Sequence, residues 1–159
     1  MFTGDGSGET LFAALFRAGF ANMPSGTHMD DGLQLNDTFI TSIVRCVPPK
    51  NRPTADEVNT CRTFVARELE MMPDVRIVLA LGKLAFDQSA FLLRQAGYSV
   101  PKLKFGHNVC CEVSNPDRFH SVYLMASYHP SRQNTQTGRL TKEMLDEVFS
   151  KAQAMLTSF

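Results

Sequence analysis

Hydrophobic and polar positions along this chain change period several times. In Glu9–Gly19, "ETLFAALFRAG", apolar residues recur at helical spacing and a glycine closes the run, which predicts an amphipathic helix. Residues 21–38 mix Pro, Gly, Ser, Asn and Asp without a period and read as loop. Phe39–Arg45, "FITSIVR", is β-branched and predicts a strand. Cys46–Pro53, "CVPPKNRP", excludes regular structure, because its prolines lack the amide hydrogen and fix the backbone. Thr54 with Glu57 makes a capping box, and behind it Val58, Cys61, Val65, Leu69 and Met72 share one helix face.

Val75–Leu81, "VRIVLAL", predicts a second, buried strand. Gly82 turns the chain into a helix over Lys83–Gln95, ended by Gly97. Lys102–His107 predicts a short strand and Cys111–Phe119 a loop. Ser121–Ser127, "SVYLMAS", predicts a further strand, followed by a long polar loop over Tyr128–Thr141 and a last helix over "KEMLDEVFSKAQAML". Strands alternating with helices imply an α/β fold of three layers, α/β/α, with a central, mainly parallel sheet covered on both faces. No repeat, low-complexity tract or boundary interrupts residues 1–159, so one domain is expected. In such sheets ligands bind beyond the carboxyl ends of the strands. The stretches "RCVPPKNRP", "LGKLA" and "YHPSRQN" all fall at that edge.

Composition narrows the function classes. The chain has 159 residues, 43% apolar and 20% charged, an ordinary globular balance with enough length for a core. Lys plus Arg equals Asp plus Glu at 16 each, so net charge gives no general attraction to nucleic acid and any such binding needs a local patch. "LFAALF" is too short to span a membrane, and the N-terminus shows no signal peptide. A cytoplasmic protein is therefore expected, with its four cysteines as thiols or metal ligands rather than disulfides.

His129 stands at the mouth of the predicted sheet, beside Pro130, which stiffens the backbone, and Ser131, which can hydrogen-bond. Two readings stay open: a helix-entry loop full of polar turn formers, or a histidine held in a fixed pose to stabilise developing negative charge. Asn134 lies at the expected tip of this loop, and Arg132 and Arg139 are placed to contact phosphates. "GDGSG" at Gly4–Gly8 completes no phosphate-binding fingerprint, and its one carboxylate, Asp5, either caps the following helix or orients a water. Cys46 and Cys61, fifteen positions apart, are a weak metal signal on their own. Buried thiols are the commoner explanation. A four-ligand site with Cys110 and Cys111 is possible by count, but adjacent cysteines rarely suit tetrahedral coordination and no Cys-x-x-Cys spacing exists.

Four stretches together resemble the iron–sulfur uracil-DNA glycosylases, most closely the family-5 branch: "FTGDGSG" at Phe2–Gly8, "RCVPPKNRPTADE" at Arg45–Glu57, "LALGKLAF" at Leu79–Phe86 and "YHPSRQNTQTGRLT" at Tyr128–Thr141. The last is the most specific, and their order and spacing cover nearly the whole chain. The resemblance implies an enzyme with the same α/β/α fold, an N-terminally shortened member, since the Gly-x-Ala-Pro stretch of the family has no counterpart here. It implies that double-stranded DNA carrying uracil or another deaminated base is bound by a monomer, the base flipped out and its N-glycosidic bond hydrolysed. On this resemblance His129 hydrogen-bonds the pyrimidine carbonyl, Phe2 stacks on the flipped base, Asn134 with its neighbours fills the gap in the duplex, and Asp5 is a candidate for placing water. Ser42 stands where family-4 relatives carry an asparagine that reads the base edge, which suggests broader base tolerance. Cys46 and Cys61 match two of the four thiolates of a [4Fe–4S] cluster, pinning a DNA-facing loop that carries Arg45, Lys50 and Arg52.

Two alternatives compete with this reading. The missing upstream loop and missing ligands fit a DNA-binding remnant that has lost catalysis. The sheet architecture by itself permits a small-molecule nucleotide-binding domain, against which the absence of a complete phosphate loop counts.

Overall fold

Side-chain oxygens set where several helices begin. The computed structural model describes residues 6–28, 30–48 and 52–159. Thr54 accepts a hydrogen bond from the Glu57 N–H while the Glu57 carboxylate accepts one from the Thr54 N–H, so the capping box opens α2, Ala55–Glu70. Thr141 caps α5, Lys142–Leu156, by accepting from the Met144 N–H. Gly82, at φ 94°, takes the left-handed turn between β1, Ile77–Leu81, and α3, Lys83–Gln95. The remaining elements are α1, Gly6–Arg17, the strands β2, Cys110–Val113, and β3, Val122–Ser127, and the short helix α4, Arg132–Gln136.

The chain divides into two compact units, one of Met1–Ile40 with Ser127–Phe159 and the other of Thr41–Ala126. In the first, α1 packs on α5. Leu11, Ala14 and Leu15 on α1 and Leu145, Val148, Phe149 and Ala152 on α5 recur at helical spacing and are buried. Phe20, just past α1, meets Phe149 edge to face at 6.3 Å between ring centres. The Arg17 guanidinium grips the Asp146 carboxylate with contacts of 2.5 and 2.9 Å.

In the second unit the sheet has the order β1-β3-β2, with β1 parallel to β3 and β2 antiparallel to it in the register Cys110↔Met125 to Val113↔Val122. The α/β class holds, and the described sheet is mixed. Val122, Leu124 and Ala126 alternate onto one face with Val113. There they form a core with Ala80 and with Phe86, Ala90 and Leu93 of α3. A smaller cluster joins Ile43 to Val58 and Val65 of α2 and Leu92 of α3.

Four expectations change. Phe39–Arg45 forms no strand. Its apolar side chains still find a core through Ile43, but Thr41 and Ser42 spend their hydroxyls on Glu68 and the Val44 carbonyl, and β-branched composition without a neighbouring ladder does not make a strand. Lys102–His107 likewise has no ladder, since it is held by Phe105 against Phe86, ring centres 5.7 Å apart. The expected loop at Cys111–Phe119 instead begins with β2, because Cys111 and Val113 face the core opposite Leu124 and Val122. The polar loop over Tyr128–Thr141 contains α4.

Away from the sheet, the Asp31 carboxylate organises a turn by accepting from the N–H groups of Thr27 at 2.5 Å, His28 at 3.1 Å and Leu33 at 3.0 Å. The hydrogen bonds from Leu33, Thr27 and His28 hold its pKa below the ordinary 3.8. A depressed carboxylate stabilises the fold above its unfolded pKa and loses that contribution as pH falls through the folded value. Amide-exchange protection at Thr27 and Leu33 is therefore expected to be full at neutral pH and to fall below pH 3.8, and to be low at every pH in Asp31→Ala, which has no side-chain acceptor. For the core, Leu124→Ala is expected to cost about 2–5 kcal/mol in denaturant unfolding, because Leu124 is fully buried.

Candidate functional site

The edge of the sheet where β1 and β3 end is also where β2 begins. From β3 the chain runs through Ser127, buried, whose hydroxyl donates to the Tyr128 carbonyl at 3.0 Å. His129 follows, half-buried, and then Pro130, fully buried. A buried proline cannot swing, so the histidine's backbone has little freedom on either side.

Asn134 ties this segment into one piece. Its side-chain amide donates to the His129 carbonyl at 2.9 Å. Its backbone N–H donates to the Ser131 hydroxyl at 3.4 Å, which is the cap of α4. Its own carbonyl accepts from the Leu140 N–H at 3.0 Å, and Leu140 is buried. Thr135 adds two bonds to the Ser131 carbonyl, from its N–H at 3.0 Å and its hydroxyl at 3.2 Å. Gly138, at φ 71°, turns the chain out of α4 in a conformation that L side chains rarely adopt. This hydrogen bonding explains why a stretch of turn formers holds a helical turn: Ser131 supplies the cap and the threonines bond back along it.

The loop's cations are placed by packing. The Arg139 guanidinium lies 4.8 Å from the centre of the Tyr128 ring. Arg132 crosses Gly6, at the start of α1, so closely that a Cβ there would stand 3.1 Å from its Nε. Both arginines are exposed. The structure thus brings His129, Ser131, Arg132, Asn134 and Arg139 into one local assembly. Asp5, Phe2 and Lys50 lie outside the described residues.

The other sequence-predicted residues belong to the second unit. Ser42 is half-buried and donates its hydroxyl proton to the Val44 carbonyl at 2.8 Å, which leaves its oxygen lone pairs to accept. Arg45 pairs with Glu68 and lies 4.7 Å over the Phe64 ring. Thr41 donates to the same Glu68 at 2.6 Å. The segment before the proline-rich loop is therefore fastened to α2 through Glu68, a residue no motif pointed to. Arg52 is exposed.

Cys46 is exposed and Cys61, on α2, is half-buried. Among the described residues no group of three or more His, Cys, Asp or Glu side chains comes together to hold a metal. Cys110 and Cys111 sit in the β2 ladder opposite Met125 and Leu124, so they do not complete a set with the other two. A four-iron cluster takes four thiolates; the donors present do not fit one, and no chemical step is derived through it. Among the described residues no helix is long and apolar enough to cross a membrane.

The backbone that carries the imidazole is held by a buried proline and an asparagine bridge. A hydrogen-bond donor on such a backbone could meet negative charge as it develops with little reorganisation of the chain. The flanking guanidiniums of Arg132 and Arg139 are exposed cations, groups of the kind that could meet phosphate oxygens.

Comparison with known proteins adds to this geometry. The family model described as the uracil DNA glycosylase superfamily matches residues 1–153. A type-5 uracil-DNA glycosylase of Mycobacterium bovis is 45% identical over 157 residues, 98% of this chain and 56% of the relative. One from Pyrobaculum aerophilum is 45% identical over 154 residues, 97% of this chain and 63% of the relative. One from Thermus thermophilus is 42% identical over 154 residues, 97% and 66% respectively. The chain thus spans 56% to 66% of the length of these curated relatives.

Replacing Asn134 by Ala removes the bridge to the His129 carbonyl and is expected to cost about 1 kcal/mol in thermal or denaturant unfolding. Limited proteolysis is expected to show new cleavage within residues 128–138. Cleavage there as slow as in the unaltered chain would show that the bridge does not hold the loop.

Proposed function

The chain belongs to the uracil DNA glycosylase superfamily, and from that membership we propose that it excises uracil from DNA by hydrolysing the bond between base and sugar. The observation that carries the reading is the held backbone of His129 just past the end of β3, its carbonyl bridged by Asn134 at 2.9 Å. The type-5 relatives, at 42% to 45% identity over nearly the whole chain, support it. The whole of residues 1–159 acts as one glycosylase-like domain in this reading, which the single family match running through both compact units supports.

The chemistry follows from the residues. A base within the duplex is out of reach, so it is extruded into the protein at a cost in stacking. The bond from C1′ to the base nitrogen breaks with its electron pair leaving on the base. The sugar becomes oxocarbenium-like and takes up water at C1′. The base anion carries its charge largely on its carbonyl oxygens, and His129 donates a hydrogen bond to one of them. Water's hydroxyl ends on the sugar and a proton ends on the base, so free uracil and an abasic site are the products. Arg132, Arg139, Arg52 and Lys50 contact phosphates of the duplex, and Asn134 and Ser131 hold the loop at the gap left by the base.

Phe2 is assigned to stacking on the base and Asp5 to water placement by the family resemblance alone. The Ser42 oxygen, with lone pairs left to accept, suits the base edge and does not demand one particular base, so other deaminated bases are included as substrates. The assignment of Cys46 and Cys61 as two thiolates of an iron–sulfur cluster rests on the family resemblance alone and has no part in this reaction. The reading places the protein as a monomer on double-stranded DNA in the cytoplasm. No observation favours a binding-only remnant or a nucleotide-binding domain.

The test is single-turnover base release from a duplex with one uracil opposite guanine. His129→Ala is expected to lower the rate by roughly 10²–10³, the loss typical of removing one donor to developing charge, with the melting temperature little changed. A rate in the variant equal to that of the unaltered chain would remove His129 from the reaction.

A further inference from the structure

The two arginines of the histidine loop are held by groups that carry no charge. Gly138 turns the chain into Arg139, and the next residue, Leu140, is buried and bonded through its N–H to the Asn134 carbonyl. The backbone on either side of Arg139 is therefore fixed, and its guanidinium lies 4.8 Å from the centre of the Tyr128 ring, a distance at which ring and cation attract. Arg132 begins α4, behind the Ser131 cap, and its carbonyl accepts from the Thr135 hydroxyl at 3.2 Å. Its side chain crosses Gly6 at the start of α1: a Cβ on Gly6 would stand 3.1 Å from its Nε and 3.5 Å from its Cγ.

A glycine in a helix lowers stability relative to alanine. Gly6 is not one of the left-handed glycines, so its backbone conformation does not require glycine. What glycine supplies there is room for the stem of Arg132. Elsewhere in the same unit an arginine is held by a carboxylate, Arg17 by Asp146, and that ion pair uses its charge within the chain. A ring and a bare backbone hold a guanidinium without neutralising it. Arginine has many rotamers to lose, and an interface that must first order a loose side chain gives up part of its affinity. Gly6, Tyr128, Arg132 and Arg139 all belong to the compact unit that contains the histidine loop.

We propose that Tyr128 and Gly6 are positioning residues for binding the DNA backbone: they hold Arg139 and Arg132 in place, still fully charged, before the phosphates of a duplex arrive. The proposal rests on the glycosylase reading for the DNA it serves. The holding of the two side chains stands on the contacts alone.

Binding to an undamaged duplex, followed by fluorescence anisotropy across a salt series, separates holding from charge. Tyr128→Leu removes the ring and keeps every charge. It is expected to weaken binding roughly two- to tenfold, the scale of ordering one arginine side chain. Tyr128→Phe keeps the ring and is expected to bind close to the unaltered chain. Arg139→Ala is expected to lower the magnitude of the slope of log affinity against log salt by about 0.9, and Tyr128→Leu added to it is expected to change nothing further. Gly6→Leu puts a side chain in the path of Arg132. It is expected to weaken binding on the same two- to tenfold scale, and to have no effect in an Arg132→Ala background. Each chain is compared at a temperature where circular dichroism shows it folded. Losses that persist undiminished in the backgrounds without the arginine, a Tyr128→Phe chain as weak as Tyr128→Leu, or single variants that bind like the unaltered chain would overturn the proposal. In the unaltered chain free of DNA, the Nε–H groups of Arg132 and Arg139 are expected to be less mobile by heteronuclear NOE than that of the exposed Arg52. Equal mobility would overturn the proposal without any variant. If the unaltered chain binds no duplex, the DNA reading fails, and the mobility comparison still decides whether the two side chains are held.

Discussion

The hydrogen bond from the Asn134 amide to the His129 carbonyl, 2.9 Å long, is the constraint on which the site depends. A single such bond contributes modestly to stability, but its placement matters more than its energy. It closes the turn that starts at a buried proline and ends at a buried leucine. Within that span the cap of α4, the histidine backbone and the return to Leu140 all pass through one residue. In the proposed reaction a side chain that meets charge as it forms gains from a backbone already in place, and this turn holds the backbone of His129.

The same logic runs upstream. The end of β3 is buried before the loop begins, at Ala126 and Ser127. In the other unit the segment leading to the proline-rich loop is fastened by Thr41 and Arg45 to Glu68 on α2. In each unit a polar residue on a helix holds an irregular segment, Asn134 on α4 in one and Glu68 on α2 in the other. Irregular chain needs such fixing, because its backbone groups have no ladder of their own.

Several elements were legible from residue order because their ends carry chemistry. The bounds Lys83–Gln95 and Lys142–Leu156 coincide with expectation, and the Thr54 capping box forms as its spacing predicts. Strands were legible only where a partner exists. "FITSIVR" has the composition of a strand and no ladder, whereas β2 was hidden because "CCEV" differs little from a polar turn until Val122 and Leu124 face it. In the site, the place of His129 just past a strand end could be read from the string, whereas the cap that Ser131 makes on α4 was not expected. Asn134 was expected at a loop tip and instead sits inside α4 with its side chain turned back on the histidine. Glu68 carries no motif. Its role comes from a contact with Arg45, 23 positions away, and a local pattern does not encode such a pairing.

The most direct measurement of the central claim is the identity of what leaves the DNA. A duplex holding one isotopically labelled uracil would be incubated with the protein and the small molecules examined by mass spectrometry. The account predicts free uracil, with an intact strand carrying an abasic site until alkali is added. Uracil that stays attached after prolonged incubation with excess protein, or that leaves as a nucleotide with the strand already cut, would contradict it.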